Sequence, residues 1–348
     1  MKALTFTGLQ SITYETIPDP ILEFATDVIV KVDHCAICGS DLHIYHGRET
    51  GLDMHTCMGH EFTGEIVEMG RAVTAFNFGD KVVSPFTTAC GECFYCKRGL
   101  SARCIHNQIY GWRENGKGLQ GGQAEYVRVP MAETTLMDYT PFDLKSEEAI
   151  LAGDILSTGY FGARLCKIIE GDIVVVVGCG PVGLLACFSA VSMGANVIAI
   201  DSIDYRLHAA TAFGAVAIKL KDDVKNLILD KTDGRGADAV IEAVGNESAQ
   251  ALAYELVRPG GIISTIGVHT SDDFVFKPAD VYNKNITYSS GRCPARSLMP
   301  EILPFISKSK TKLASIFTHR MHLKDGVRAY DIFDKRMDDC IKVLMDTQ

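Results

Sequence analysis

The stretch "DIVVVVGCGPVGLLA", beginning at Asp172, leaves the chain little freedom. An apolar run too short for a helix turns through Gly178, Gly180 and Gly183 straight into an apolar helix. A Gly-x-Gly-x-x-Gly set between strand and helix points to a phosphate-binding turn at the edge of a parallel sheet. Gly178 permits the tight turn, Gly180 lets the backbone approach a pyrophosphate, and Gly183 lets helix pack closely on strand, with the helix N-terminus toward the anion. The next apolar run, "NVIAID", ends in Asp201, placed to accept hydrogen bonds from an adenosine ribose. A carboxylate there repels a 2'-phosphate, so NAD is favoured over NADP. Arg206, five residues on, is the counter-signal, because its guanidinium would neutralise such a phosphate. For the glycines taken alone, the competing reading is a helix turn without ligand.

From about Gly171, buried apolar runs alternate with helical stretches: "DIVVVVG", "PVGLLACFSAVSMG", "NVIAID", "DAVIEAVG" and "GGIISTIGV". That alternation predicts a parallel sheet with crossover helices. The first 150 or so residues read differently, as short β segments broken by Gly, Pro and Asp ("VIVKVDH", "EFTGEIVEMG", "GDKVVSP", "AEYVRVP"), hence an all-β or barrel-like body. Beyond about Gly291, a Pro-rich entry leads into charged sequence that reads as mostly helical. The expected fold class is therefore α/β, a doubly wound parallel sheet beside a β-rich domain.

Composition narrows function. At 348 residues and 47% hydrophobic content, the chain is long enough for one large or two ordinary domains, and disorder is excluded. A net charge of -9 with no Lys/Arg-rich block gives no footprint for nucleic acid or anionic membrane. No stretch of about 18 apolar residues occurs and the N-terminus has no basic, then apolar, leader pattern. A soluble cytoplasmic protein with a small-molecule partner is expected.

Twelve cysteines in a chain of this length and type favour reduced thiols and metal over a disulfide framework. In "ACGECFYCKRGLSARC", Cys90, Cys93, Cys96 and Cys104 are spaced for one tetrahedral zinc at about 2.3 Å from each sulfur. Four thiolates leave no open position, so this zinc would staple a loop rather than perform chemistry. An iron-sulfur cluster, or four reduced cysteines in a turn, are the alternatives. Loss of the staple is expected to harm assembly or stability first and turnover only indirectly.

Reactive ligands are signalled more faintly. "HCAICGSDLHIYHG" offers Cys38, and "MGHEFTGEIVEMGRAV" offers His60. Either alone is more often a packing residue. Their company, Ser40, Asp41, His43 and Glu61, adds an alcohol, carboxylates and a second imidazole. A catalytic zinc takes three protein ligands and one open position, with a carboxylate orienting each histidine; Asp41 is the candidate for that role on His60. A third ligand must come from elsewhere. "AILAGDILSTGYFGA" supplies Asp154, although position alone does not identify it.

With these residues in view, the chain resembles the zinc-containing medium-chain alcohol dehydrogenases. "GHEFTGEIVEMGRAV", with Gly59, Gly64, Gly70 and Val73, is similar to that family's signature, and the resemblance runs through the whole chain in order. "GSDLHIY", the cysteine lobe, "GGQAEYVRVP" and "GDILSTGY" look most like the branch of formaldehyde dehydrogenases and dismutases, with secondary-alcohol and threonine dehydrogenases nearby. The resemblance implies a GroES-like catalytic domain over residues 1–155 with a zinc lobe at about 88–106, a Rossmann domain over 156–295 and a return to the catalytic domain over 296–348.

It also implies roles. Cys38, His60 and Asp154 would bind the catalytic zinc, with Glu61 adjacent and able to approach the metal when substrate exchanges. Better-known members carry cysteine where Asp154 stands; the carboxylate keeps the ligand charge but replaces soft sulfur by hard oxygen, leaving zinc more electrophilic. Ser40 would receive the alcohol proton and pass it, through the cofactor ribose and His43, to solvent. Thr158 would lie beside the nicotinamide, Arg206 on the adenosine ribose and Lys342 on the pyrophosphate, with Pro181, Val182 and Val268 as further cofactor contacts. Tyr110 and Trp112, in "YGWREN", would line the substrate pocket, core packing being the other reading of such a pair. Two zinc ions per chain, one catalytic and one structural, and a homodimer or homotetramer follow from the same likeness. The expected activity is reversible hydride transfer between an alcohol, or an aldehyde hydrate, and NAD(P). A dismutase with tightly held NAD, a polyol or threonine-type dehydrogenase, and a nonenzymatic NAD-binding protein are the competing readings.

Overall fold

Consecutive valines, Val174 to Val177, have no polar side chain to offer water and form a strand buried on both faces. A computed structural model describes residues 1–221, 223–271 and 273–347, which form two compact units, one of residues 158–293 and the other of residues 1–157 with 294 onward. In the former, Ile173–Val177 is central to a six-stranded sheet in the order Val216–Lys219, Asn196–Asp201, Ile173–Val177, Ala237–Glu242, Val257–Thr265, Thr287–Ser290. Every pairing is parallel, with Val175 between Ile198 and Val240. Near-continuous apolar runs are what strands covered on both faces require. The helices Pro181–Ser192, Asp204–Ala212 and Glu247–Leu256 make crossovers between them. The first strand of the unit is flanked by its second and fourth, which is the doubly wound Rossmann order, and the direction of winding reverses beside Gly178.

The other unit is GroES-like and β-rich. Its largest sheet runs Phe317–His322, Lys342–Asp346, Val28–Ala36, Phe62–Met69, Lys81–Val83, Met137–Asp138, with Tyr126–Val129 also on Val28–Ala36. Val28, Val30 and Val32 alternate inward along the long strand and meet Leu4, Phe62, Ile66, Val127, Tyr330 and Val343 in one core. The tail departs from the helical expectation. Helices Ala295–Ser307 and Gly326–Lys335 form, but left-handed backbone at Arg336, Asp338 and Asp339 ends the second. "KVLMD" then enters the sheet antiparallel to Val28–Ala36, Leu344 opposite Ala36. Pairing with a strand three hundred residues earlier overrides local propensity there. Among the described residues no helix is long and apolar enough to cross a membrane.

Candidate active site

Antiparallel pairing assembles the first cluster. Cys35 is opposite Phe62, so Cys38 and Ser40, just past one strand, come beside His60 and Glu61, just before its partner. Asp154 joins them from the residue preceding helix Ile155–Leu165. Asp154 Oδ2 lies 3.3 Å from both Cys38 Sγ and His60 Nε2. Ser40 Oγ lies 3.3 Å from Cys38 Sγ and 3.4 Å from His60 Nε2. The other imidazole nitrogen, Nδ1, is 3.3 Å from Asp41 Oδ1. A proton on Nδ1 donated to Asp41 leaves the Nε2 lone pair facing Cys38 and Asp154. Gly59 turns the chain into this position with φ of 89°, and a Cβ there would lie 2.4 Å from Gln123 Cγ. No other residue fits.

The donor set suits zinc. Bond lengths of about 2.0 to 2.3 Å give tetrahedral ligand-to-ligand edges of roughly 3.3 to 3.8 Å, and Asp154 Oδ2 stands 3.3 Å from each of the other two donors. Cys38, His60, Glu61 and Asp154 each offer an atom within 4.8 Å of the others, and all four are buried. Burial first, then the Asp154 and Glu61 charges, push the Cys38 thiol up. Burial acts to raise Asp154 too, but the hydrogen bond and charge of His60 hold it low; burial acts to lower His60, and Asp41 and Asp154 outweigh it. A dication compensates such a concentration of buried anionic groups.

Cys90, Cys93, Cys96 and Cys104 form a second cluster of the same tightness. Cys93 opens a single helical turn, Phe94–Lys97, none of whose residues is buried, so the lobe has little apolar core. The N–H groups of Cys90 and His106 donate to Cys104 Sγ at 3.2 and 3.3 Å. Backbone hydrogen bonds from Cys96 and Ile105 lower the Cys93 thiol to about 6, toward the thiolate that a metal takes. Cys38, Cys90, Cys93, Cys96 and Cys104 are all free thiols.

In the Rossmann unit, Gly178 has φ of 91° and a Cβ on Gly183 would sit 1.8 Å from the Gly178 carbonyl oxygen, so helix and turn approach as only glycine allows. A Cβ on Gly180 would meet nothing within 4 Å; this face of the turn is open where Pro181 and Val182 begin the helix. Asp201 closes the turn, accepting the N–H of Cys179 at 2.7 Å and that of Ile203 at 2.9 Å. Arg206 Nη1 stands 4.0 Å from the same carboxylate, and its Nε is buried without a hydrogen-bond partner among the described residues.

Two family models match the chain: the alcohol dehydrogenase GroES-like domain over residues 25–139 and the zinc-binding dehydrogenase over residues 181–308. A medium chain reductase/dehydrogenase of Acremonium sp is 48% identical over 78% of this chain and 94% of its own. Zinc-type alcohol dehydrogenase B of Aspergillus flavus is 40% identical over 96% of this chain and 79% of its own. The chain belongs to the zinc-containing medium-chain alcohol dehydrogenases. Among solved structures, alcohol dehydrogenase TADH from Thermus sp. ATN1 superposes on this dehydrogenase with a TM-score of 0.94 at 35% identity, each chain covered completely. Membership makes the protein an oxidoreductase that interconverts alcohol and carbonyl groups with zinc and a nicotinamide cofactor.

Some residues of this alcohol dehydrogenase stand elsewhere than expected. Lys342, expected on the pyrophosphate, has no exposed surface; its Nζ is 2.6 Å from Glu61 Oε1, itself buried. A buried ammonium needs a carboxylate, and Glu61 supplies it. Tyr110, expected in the substrate pocket, is 1% exposed and packs edge-on against Phe62 at 5.1 Å, a core residue. Trp112 is half-buried against the same core in the hairpin Trp112–Glu114 with Lys117–Leu119. Thr158 lies one helical turn beyond Asp154 and is half-buried, and Val268 is exposed in the loop after its strand. His43 is half-buried, its Nδ1 without a partner among the described residues. Unforeseen was Glu242, ending its strand as Asp201 ends another: it accepts the N–H groups of Val244 and Gly245 and contacts His269 Nε2 at 2.9 Å. An acid closing an apolar run, "AVIE", was the available signal.

Proposed function

We propose that this dehydrogenase holds two zinc ions per chain, a catalytic one on Cys38, His60 and Asp154 and a structural one on Cys90, Cys93, Cys96 and Cys104, and that it uses NAD. The observation that carries the reading is the convergence of thiol, imidazole and carboxylate, Asp154 Oδ2 lying 3.3 Å from each of the other two donors, with the Ser40 hydroxyl 3.3 Å from Cys38 Sγ and 3.4 Å from His60 Nε2. When bound, zinc acts as Lewis acid on the substrate oxygen, and the nicotinamide accepts or returns the hydride. The protein's residues manage the proton. Ser40 Oγ takes it as it passes on its own hydroxyl proton, and the Nδ1 of His43, without a partner among the described residues and in the short helix that follows Ser40, is the next acceptor toward solvent. Asp41 holds the His60 ring in one tautomer, and Glu61, kept by Lys342, waits beside the ligands for substrate exchange. Thr158 supports the nicotinamide side, while Gly178, Gly180, Pro181, Val182, Gly183, Asp201, Arg206 and Val268 hold the rest of the cofactor. Small alcohols and aldehydes are the substrates, and the enzyme works as a cytoplasmic homodimer or homotetramer.

The test is the purified protein assayed with short aldehydes, secondary alcohols and polyols, with NAD and NADP in parallel and metal counted per chain. Two zinc and faster turnover with NAD are expected; one zinc, lost with Cys104→Ser but not with Cys38→Ser, contradicts the two-site reading. Asp201 gives a sharper check on the cofactor. Asp201→Asn keeps an acceptor for the Cys179 N–H but removes the charge. It is expected to narrow the ratio of kcat/KM for NAD over NADP by about tenfold, the scale of one charge-assisted hydrogen bond. An unchanged ratio would remove Asp201 from the ribose.

A further inference from the structure

One buried hydrogen-bonded chain leaves the metal cluster and does not stop at Asp41. Gln123, with no exposed surface, donates from Nε2 to Asp41 Oδ2 at 3.3 Å and to the Ala36 carbonyl at 3.1 Å. Its Oε1 accepts the Tyr330 hydroxyl at 2.9 Å. Tyr330, 1% exposed, belongs to helix Gly326–Lys335. Every donor has an acceptor, so the amide has only one orientation: a flipped Gln123 would face its carbonyl at two acceptors and its NH2 at the tyrosine donor. Burial, and then the Asp41 charge, keep the Tyr330 phenol well above its ordinary pKa, so it remains a donor.

The same Asp41 carboxylate accepts the Cys38 N–H at 2.9 Å through Oδ2 and faces His60 Nδ1 through Oδ1. Its orientation therefore bears on two ligands at once. We infer that Tyr330, acting through Gln123, is a positioning residue for the catalytic metal: it locks the Asp41 carboxylate that sets the His60 ring and the Cys38 backbone. The inference rests on the reading of Cys38, His60 and Asp154 as zinc ligands. Without the Tyr330 hydroxyl, Gln123 Oε1 is buried and unpaired, the amide turns, and Asp41 loses the hydrogen bond that fixed it. The metal is then held less well although no ligand has changed.

Tyr330→Phe removes one oxygen and keeps the ring against Tyr45, whose centroid is 5.8 Å away. In the zinc-loaded enzyme, release of the catalytic zinc to a chelator is expected to quicken about tenfold, the low end for a lost outer partner of a metal ligand, with release from the four-cysteine site unchanged. In the cobalt-loaded enzyme the visible bands of the Cys38–His60–Asp154 site should shift, the thiolate-only bands serving as internal constant. Gln123→Met, should Tyr330→Phe not fold, cuts the same chain and should give the same release and spectral change; combined, the two should be less than additive. Unchanged release rate and cobalt spectrum in either folded variant, whatever the melting temperature does, would overturn the inference. A parent enzyme that binds metal only at the four cysteines overturns the zinc-ligand reading itself, and the metal count tells the two failures apart.

Discussion

Cys38→Ser is expected to lower turnover on the order of a thousandfold while leaving a folded protein. Serine keeps the shape but is not ionised at neutral pH, so the site loses its softest anionic donor and retains His60 and Asp154 alone. The Lewis acid contributes several kcal/mol to polarising a substrate oxygen, and each 1.4 kcal/mol or so is tenfold in rate. Metal analysis should find one zinc per chain in place of two, because the four-cysteine lobe draws on none of these residues. The protein should still melt cooperatively, since the core around Val28–Ala36 does not depend on the thiol, at a temperature lowered by the loss of the bound ion. Full dehydrogenase activity in Cys38→Ser would sink the catalytic-metal assignment.

The largest expected loss of stability comes from Lys342→Met. Both members of the Lys342–Glu61 pair are inside the protein, and removing the ammonium strands the Glu61 carboxylate beside Asp154 and Cys38. Breaking a buried pair from one side costs about 3 to 5 kcal/mol, read as a fall in the urea midpoint at constant slope. The double variant Glu61→Gln with Lys342→Met removes the stranded charge and should recover much of that loss. A urea midpoint for Lys342→Met equal to the parent's would show that Glu61 has another counterion. The same experiment separates Lys342 from the cofactor: KM for NAD should change no more in Lys342→Met than the double variant accounts for.

What could be read beforehand follows physical range. The Rossmann unit was legible because its determinants are local: strand, glycines and helix follow one another directly from Ile173 to Ser192, and Asp201 closes the next apolar run. The cysteine lobe was legible for the same reason. Cys38 and His60 were visible only through their neighbours, and Asp154 not through spacing at all, since a lone carboxylate before a helix has no pattern of its own; family resemblance pointed to it. The surroundings of Lys342 and Tyr110 are not visible in the sequence because they are long-range. Lys342 finds Glu61 across 281 positions, and Tyr330 finds Gln123 across 207. Such pairs depend on sheet register, which no short window contains. The tail strand was missed likewise, its partner being Val28–Ala36.

That tail strand sets an order of events during synthesis. The Rossmann unit is one continuous stretch and is complete before residue 294 leaves the ribosome, whereas the GroES-like unit needs residues from either side of it. Until the strand Lys342–Asp346 is translated, Glu61 has no ammonium beside it, and until helix Gly326–Lys335 is made, Gln123 has no phenol to bond. A nascent chain thus carries the cysteine, histidine and aspartate together with an uncompensated glutamate. The surroundings of Cys38, His60 and Asp154 are accordingly completed only by segments made much later, even though all three residues lie in the first half of the sequence.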